Sequence, residues 1–235
     1  LPAFPVLMQT FNSSISQVQQ TLSLFLVGFA LAQLVYGPLS DRFGRKPVLL
    51  GGLLLFTLSS IAIAFAQSIE TLALLRLLQA IGGSAGPVLG RAMVRDTYGP
   101  EDSARLLSYI GTAMALAPAA APILGGYMTL WFGWESIFLF LALYGLIGCT
   151  LLWLRIPETA PLAKIHPLSP GRLIANYKTL LQHPGWRWHA LTGSFVFTGL
   201  FAFLSGSSFI IITFLGYGEE QFGLFFAMVA AGFMI

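Results

Sequence analysis

Apolar stretches of about twenty residues, separated by short polar turns, make up nearly the whole chain, and their length decides what it can fold into. As helix, each such stretch crosses the roughly 30 Å hydrocarbon core of a bilayer. A soluble fold is excluded by surface chemistry: 9% of the residues are charged and 56% hydrophobic, whereas an ordinary soluble domain carries roughly 25% charged residues. Backbone that crosses lipid as a single apolar run must bond to itself, so the sequence predicts an all-α, multi-pass membrane protein.

The complete spans are predicted at 17–38, 47–66, 71–94, 104–129, 134–155 and 188–214. Only nine residues, Leu1 to Gln9, precede the first polar turn "TFNSSIS", and as helix they reach about 13 Å, less than half a membrane. A further apolar run opens near Phe222 and reaches Ile235. The expectation is a piece of a longer protein, covering the end of a first helix to the start of an eighth. Residues 1–155 form a six-helix half with its first helix truncated. Residues 156–187, with five prolines and the amphipathic "GRLIANYKTLLQ", form a linker, and 188–235 begin a second half with helix seven and part of helix eight.

Charge placement sets the orientation, because loops rich in Lys and Arg stay in the cytoplasm. Arg42, Arg45, Lys46, Arg95, Arg105, Arg155, Lys164, Arg172, Lys178 and Arg187 all fall on one set of alternate connections. The other set holds no Lys or Arg, only Glu70, Glu135, Glu219 and Glu220. The linker is therefore expected on the cytoplasmic side. Although the net charge is +3, no basic stripe with interleaved aromatics appears, and nucleic acid is not expected as a partner. The single cysteine, Cys149, lies inside an apolar stretch, so it forms no disulfide framework and serves as a packing residue. His166, His183 and His189 lack metal-ligand spacing. No Ser-His-Asp set, paired carboxylates or phosphate loop is present, so the chain is not expected to be an enzyme.

One hairpin breaks the apolar pattern. "YGPLSDRFGRKP", residues 36–47, places Gly37, Asp41, Arg42, Gly44, Arg45 and Lys46 between the second and third spans. A topological anchor explains the cations, but it leaves Asp41 unexplained, because that acid opposes the charge rule. A short carboxylate there suits the positive end of a neighbouring helix, with Gly37 allowing close approach.

The fourth span carries Arg76 about five residues inside the membrane, where a charge costs roughly 2.5 to 3.5 kcal/mol on insertion scales and is expected to face the bundle interior. Gln79 shares its face. Snorkelling of Arg76 to the outer interface is the alternative. Gly82, Gly86 and Gly90 follow at spacing four, a close-packing pattern, and Asp96 ends the span within reach of Arg45. The fifth span interleaves Gly111, Ala115, Ala117, Ala121 and Gly125 with Pro118 and Pro122. Two prolines four apart remove two ladder bonds from one face, which leaves open a kink with a coupling role or a kinked packing helix.

Together, "LPAFP" at 1–5, the second span with its hairpin at 18–50, "RLLQAIGGSAGPVLGRAMVRD" at 76–96, "APAAAPILGG" at 117–126, "FGWESIF" at 132–138 and "PET" at 157–159 resemble the major facilitator superfamily, and within it drug:proton antiporters of the bicyclomycin-resistance (Bcr/CflA) type. The resemblance covers residues 1–160 well; beyond them only the hydropathy is compatible. It implies the major facilitator fold, twelve helices in two halves, with Gly37, Asp41, Arg42, Gly44, Arg45, Lys46 and Asp96 as the cytoplasmic gate motif. It further implies Arg76 and Gln79 as cavity and proton-coupling residues, and Pro118, Pro122, Gly125 and Gly126 as the kinked helix of antiporters. Ala80 and Ala121 stand where the family has Gly, and Glu135 where it has Arg.

The function so implied is proton-driven efflux of drugs or other small amphipathic compounds across the bacterial inner membrane by alternating access. Alternatives are a metabolite transporter of the same fold and a non-transporting receptor or scaffold. The proton gradient serves as energy source with no cofactor or metal, and the partners are a small-molecule substrate, protons and lipid around a monomer. The proton-carrying carboxylate is expected in the part of helix one outside this chain, and the substrate is not legible.

Overall fold

The computed structural model describes residues 3–160 and 170–218, and every regular element among them is helical. In chain order the elements are α1 (Phe4–Thr10), α2 (Ile15–Phe43), α3 (Arg45–Ala64), α4 (Ile69–Gly83), α5 (Ala85–Thr97), α6 (Pro100–Phe132), α7 (Glu135–Arg155), α8 (Pro170–Gln182) and α9 (Pro184–Ser208). A π-helical turn, Phe209–Phe214, continues α9. Among the described residues four stretches, Ile15–Phe43, Arg45–Ala64, Ile69–Thr97 and Glu135–Arg155, are long and apolar enough to cross a membrane. The expected eighth span at 222–235 lies outside the described residues.

Local chemistry starts the helices where the polar turns fall. Ser14 and Gln17 form a reciprocal capping box at the start of α2, with Ser14 N donating to Gln17 Oε1 at 2.9 Å and Gln17 N to Ser14 Oγ at 3.3 Å. Ser68 Oγ accepts from Thr71 N at 3.2 Å to cap α4. Pro100 opens α6 and Pro184 opens α9, positions where a missing N–H costs nothing.

The structure departs from the sequence expectation at several boundaries, three of which bear on the site. The second span does not stop at Pro38: α2 runs on to Phe43, so Asp41 and Arg42 sit on its last turn and Gly44 alone separates it from α3. Pro38 removes the N–H that would have bonded to Leu34 O, and the hydroxyl of Tyr177 on α8 donates to that carbonyl at 2.5 Å instead. The fourth span is interrupted at Ser84 rather than continuous, following Gly82-Gly83 and preceding Pro87, which cannot donate back to Gly83. Helix seven starts at Pro184, inside the segment assigned to the linker, because His183 Nδ1 accepts from Trp186 N at 3.3 Å and caps it.

The helices α2, α3, α4 and α7 form the packed centre. Close approach of α3 and α4 requires two facing glycines: a Cβ on Gly82 would lie 2.6 Å from Gly52 O, and one on Gly52 would lie 3.0 Å from Gly82 O. The rest of the predicted glycine stripe does not share this role, since Gly86 and Gly90 meet nothing within 4 Å. Two apolar clusters close the ends of the bundle. One gathers Phe4, Leu7, Val18, Ile63, Leu72, Trp134 and Phe138 with Phe209 of the π-helical turn, where the Phe4 and Phe209 rings stand 6.0 Å apart. The other gathers Ala32, Tyr36, Leu49, Ala85, Leu89, Met93 and Leu152. Cys149 is buried, as a packing residue would be. Large apolar side chains such as Leu151 and Trp153 point outward, which suits lipid as the surrounding solvent.

Candidate functional site

The α2–α3 hairpin closes at Gly44, whose φ of +97° is a conformation that L side chains rarely adopt. The turn throws Arg45 back across its own hairpin. Its Nη1 lies 2.6 Å from Asp41 Oδ1, and its Nε donates to Asp96 Oδ2 at 3.0 Å. Nη1 also donates to Ser40 Oγ at 2.5 Å, and Ser40 in turn donates to Gly37 O at 2.8 Å. The two ion pairs are not equivalent. The side chains of Arg45 and Asp96 are 14% and 19% exposed, whereas Asp41 is 54% exposed, so screening weakens the Asp41 pair more. Lys46 Nζ donates to Trp153 O at 2.9 Å at the end of α7. Arg42 stacks over the Phe43 ring, its Cζ 5.1 Å from the centroid. Asp41 therefore pairs within its own hairpin, with Arg45. Gly37 likewise meets nothing within 4 Å.

Sequence reasoning missed Glu158, two residues after Ile156 in "PET". Its Oε1 accepts from Arg45 N at 2.9 Å and its Oε2 from Lys46 N at 3.2 Å. Oε1 also accepts from Thr159 N and Ala160 N, each at 2.9 Å. Burial works to raise the Glu158 pKa, yet the backbone N–H groups of Ala160, Arg45, Lys46 and Thr159 outweigh it and hold the carboxyl below its ordinary range. A signal did exist. The N-terminus of α3 follows a residue without a side chain and has no acid in its first turn, so its exposed N–H groups need an acceptor from elsewhere.

The second cluster lies between the two apolar ends. Arg76 Nη1 donates to Gln79 Oε1 at 2.6 Å, Gln79 Nε2 to Ser60 Oγ at 2.7 Å, and Ser60 Oγ to Phe56 O at 2.7 Å. The sequence set Arg76 and Gln79 on one face; Ser60 of α3 and the aromatic rings were not anticipated. The guanidinium carbon stands 4.2 Å from the centroid of Phe25 on α2 and 5.8 Å from that of Phe138 on α7. Among the described residues no carboxylate lies within ion-pair distance of Arg76. Gln79 and Ser60 are fully buried, so Arg76 reaches into the bundle rather than along its surface. A cation held by rings and one amide leaves most of its five donors for an acceptor.

On α6 the helix continues through residues 118 and 122. Pro122, Gly125 and Gly126 are buried, and Thr129 Oγ1 donates to Gly125 O at 2.7 Å. In α9 the hydroxyls of Thr192, Ser194 and Thr198 bond their own helix, to Trp188 O, Ala190 O and Ser194 O. Among the described residues no group of three or more His, Cys, Asp or Glu side chains is placed to hold a metal.

Comparison with known proteins places this arrangement. The family model described as Major Facilitator Superfamily matches residues 1–235. The chain is 35% identical over 228 residues to a bicyclomycin resistance protein homolog of Haemophilus influenzae, covering 97% of the chain and 57% of that protein. It is 36% identical over 231 residues to a chloramphenicol resistance protein of Pseudomonas aeruginosa, covering 98% and 54%. The chain thus spans a little over half the length of these curated relatives. The crystal structure of the human organic anion transporter MFSD10 (TETRAN) shares its fold with a TM-score of 0.66 at 20% identity, covering 97% of this chain and 59% of that one.

Proposed function

The chain belongs to the major facilitator superfamily, and on that premise we propose that it works in the proton-driven export of small amphipathic compounds across the bacterial inner membrane. The observation that carries this reading is Arg76, a cation set between the two apolar ends of the bundle, with Gln79 as its one polar partner among the described residues. A charge at that depth is retained at a cost of several kcal/mol. Its value is electrostatic: it lowers the proton affinity of a carboxylate brought near it, so proton binding and release follow the conformation that sets their distance. That carboxylate lies outside the described residues. The α2–α3 hairpin acts as the cytoplasmic gate, with Arg45 joined to Asp96 when the cytoplasmic ends are together. The α6 residues Pro118, Pro122, Gly125 and Gly126 belong to the same reading, as part of the cavity wall.

The names of the relatives, bicyclomycin and chloramphenicol resistance, support those two compounds as the first to try. The full-length protein expressed in efflux-deficient cells is expected to raise resistance to at least one compound of such a panel, and a protonophore is expected to abolish the associated efflux. Efflux that persists after the proton gradient is collapsed would overturn the proton-driven reading.

A further inference from the structure

We infer that Glu158 is a positioning residue of the cytoplasmic gate: by capping α3 from the end of α7, it sets Arg45 between Asp41 and Asp96. The inference rests on the gate reading of the hairpin given above. Four backbone N–H groups converge on this one carboxylate, two from the first turn of α3 and two from its own following turn. The first pair comes from Arg45 and Lys46, so the cap holds the backbone from which the gate guanidinium projects. A helix N-terminus carries a partial positive charge and donors without intrahelical partners, and a carboxylate answers both. No residue of the hairpin supplies this acceptor. Gly44 has no side chain, and a Cβ there would stand 2.5 Å from Glu158 Oε2, in the space that the carboxylate occupies.

The arrangement has a mechanical consequence. Lys46 Nζ bonds to Trp153 O as well, so the start of α3 is tied at two points to the end of α7 and to the chain leaving it. Residues 156–160 and the hairpin then move as one piece, and the linker that follows α7 pulls on the gate through Glu158.

The test uses the full-length protein with Cys149→Ala and a single cysteine at Leu31, an exposed position lining a groove of about 450 Å³ between α2 and α4. Two quantities are measured with Glu158 and with Glu158→Ala. One is the Arg45/Asp96 coupling from a double-mutant cycle of thermal unfolding. The other is the labelling rate of the Leu31 cysteine by a membrane-impermeant maleimide applied from the cytoplasmic side, which a merely structural role would not move. Loss of the coupling together with labelling faster by about tenfold, the population change that about 1.4 kcal/mol makes, is the expected result. Glu158→Gln, which keeps one acceptor oxygen, is expected to shift both in the same direction by less, and it decides the matter if the alanine variant inserts poorly. Unchanged Arg45/Asp96 coupling in either variant overturns the inference. Lost coupling with unchanged labelling overturns the gate reading instead, leaving Glu158 as a cap of α3.

Discussion

Arg45 Nε lies 3.0 Å from Asp96 Oδ2, joining the first residue of α3 to the last turn of α5 across 51 positions of sequence. Both side chains are mostly shielded, so this pair exceeds an ordinary surface ion pair. A double-mutant cycle with Arg45→Ala and Asp96→Ala should return a coupling of about 1 to 2 kcal/mol in thermal unfolding of the purified protein. The corresponding cycle with Asp41→Asn should return less, because Asp41 is more than half exposed. Additive effects at Arg45 and Asp96 would show that the hairpin only anchors topology.

Gly44→Ala tests the turn itself. At φ +97° and ψ 149° an alanine is strained, a cost of about 1 to 3 kcal/mol. The new methyl would also displace Glu158, whose Oε2 is the nearest atom to it. The expected outcome is a drop in melting temperature larger than that of Glu158→Ala alone. An equal or smaller drop would mean that the turn tolerates the side chain.

Acid should weaken the same contact. Since the folded pKa of Glu158 lies below its ordinary 4.5, its stabilisation is complete above pH 4.5 and is withdrawn as pH falls through the lower folded value. Thermal unfolding followed from pH 6 downward should show wild type and Glu158→Gln converging as pH drops below 4.5. A difference that stays constant over that range would mean that charge plays no part in the cap.

Orientation can be checked at two exposed positions, Phe43 and Gln67. With Cys149 replaced, a cysteine at Phe43 should react with an impermeant maleimide from the cytoplasmic side only, and one at Gln67 from the outside only. The reverse pattern would invert the topology.

Most of the fold was legible because lipid leaves few choices: an apolar run of the right length must become a helix, whatever packs beside it. The facing of Arg76 with Gln79 followed from helical spacing, and the reach of Arg45 to Asp96 from loop charge. Other features depended on partners distant in sequence. Pro38 carries the usual sign of a helix end, yet α2 continues, with the freed carbonyl of Leu34 taken by Tyr177, 143 positions away. Ser60 and Phe138 meet Arg76 through tertiary packing that periodicity does not encode. Glu158 was visible as a residue of "PET", but its role required knowing that α3 begins directly after Gly44 without a cap of its own.

We propose that Arg76 makes transport depend on protons, and the most direct measurement separates binding from coupling. In proteoliposomes holding the full-length protein, Arg76→Ala should keep substrate-for-substrate exchange of an exported compound while losing its accumulation driven by an imposed proton gradient. Arg76→Lys should retain part of that accumulation, since it keeps the charge and loses the planar fork. Gradient-driven accumulation by Arg76→Ala at the wild-type level would contradict the account.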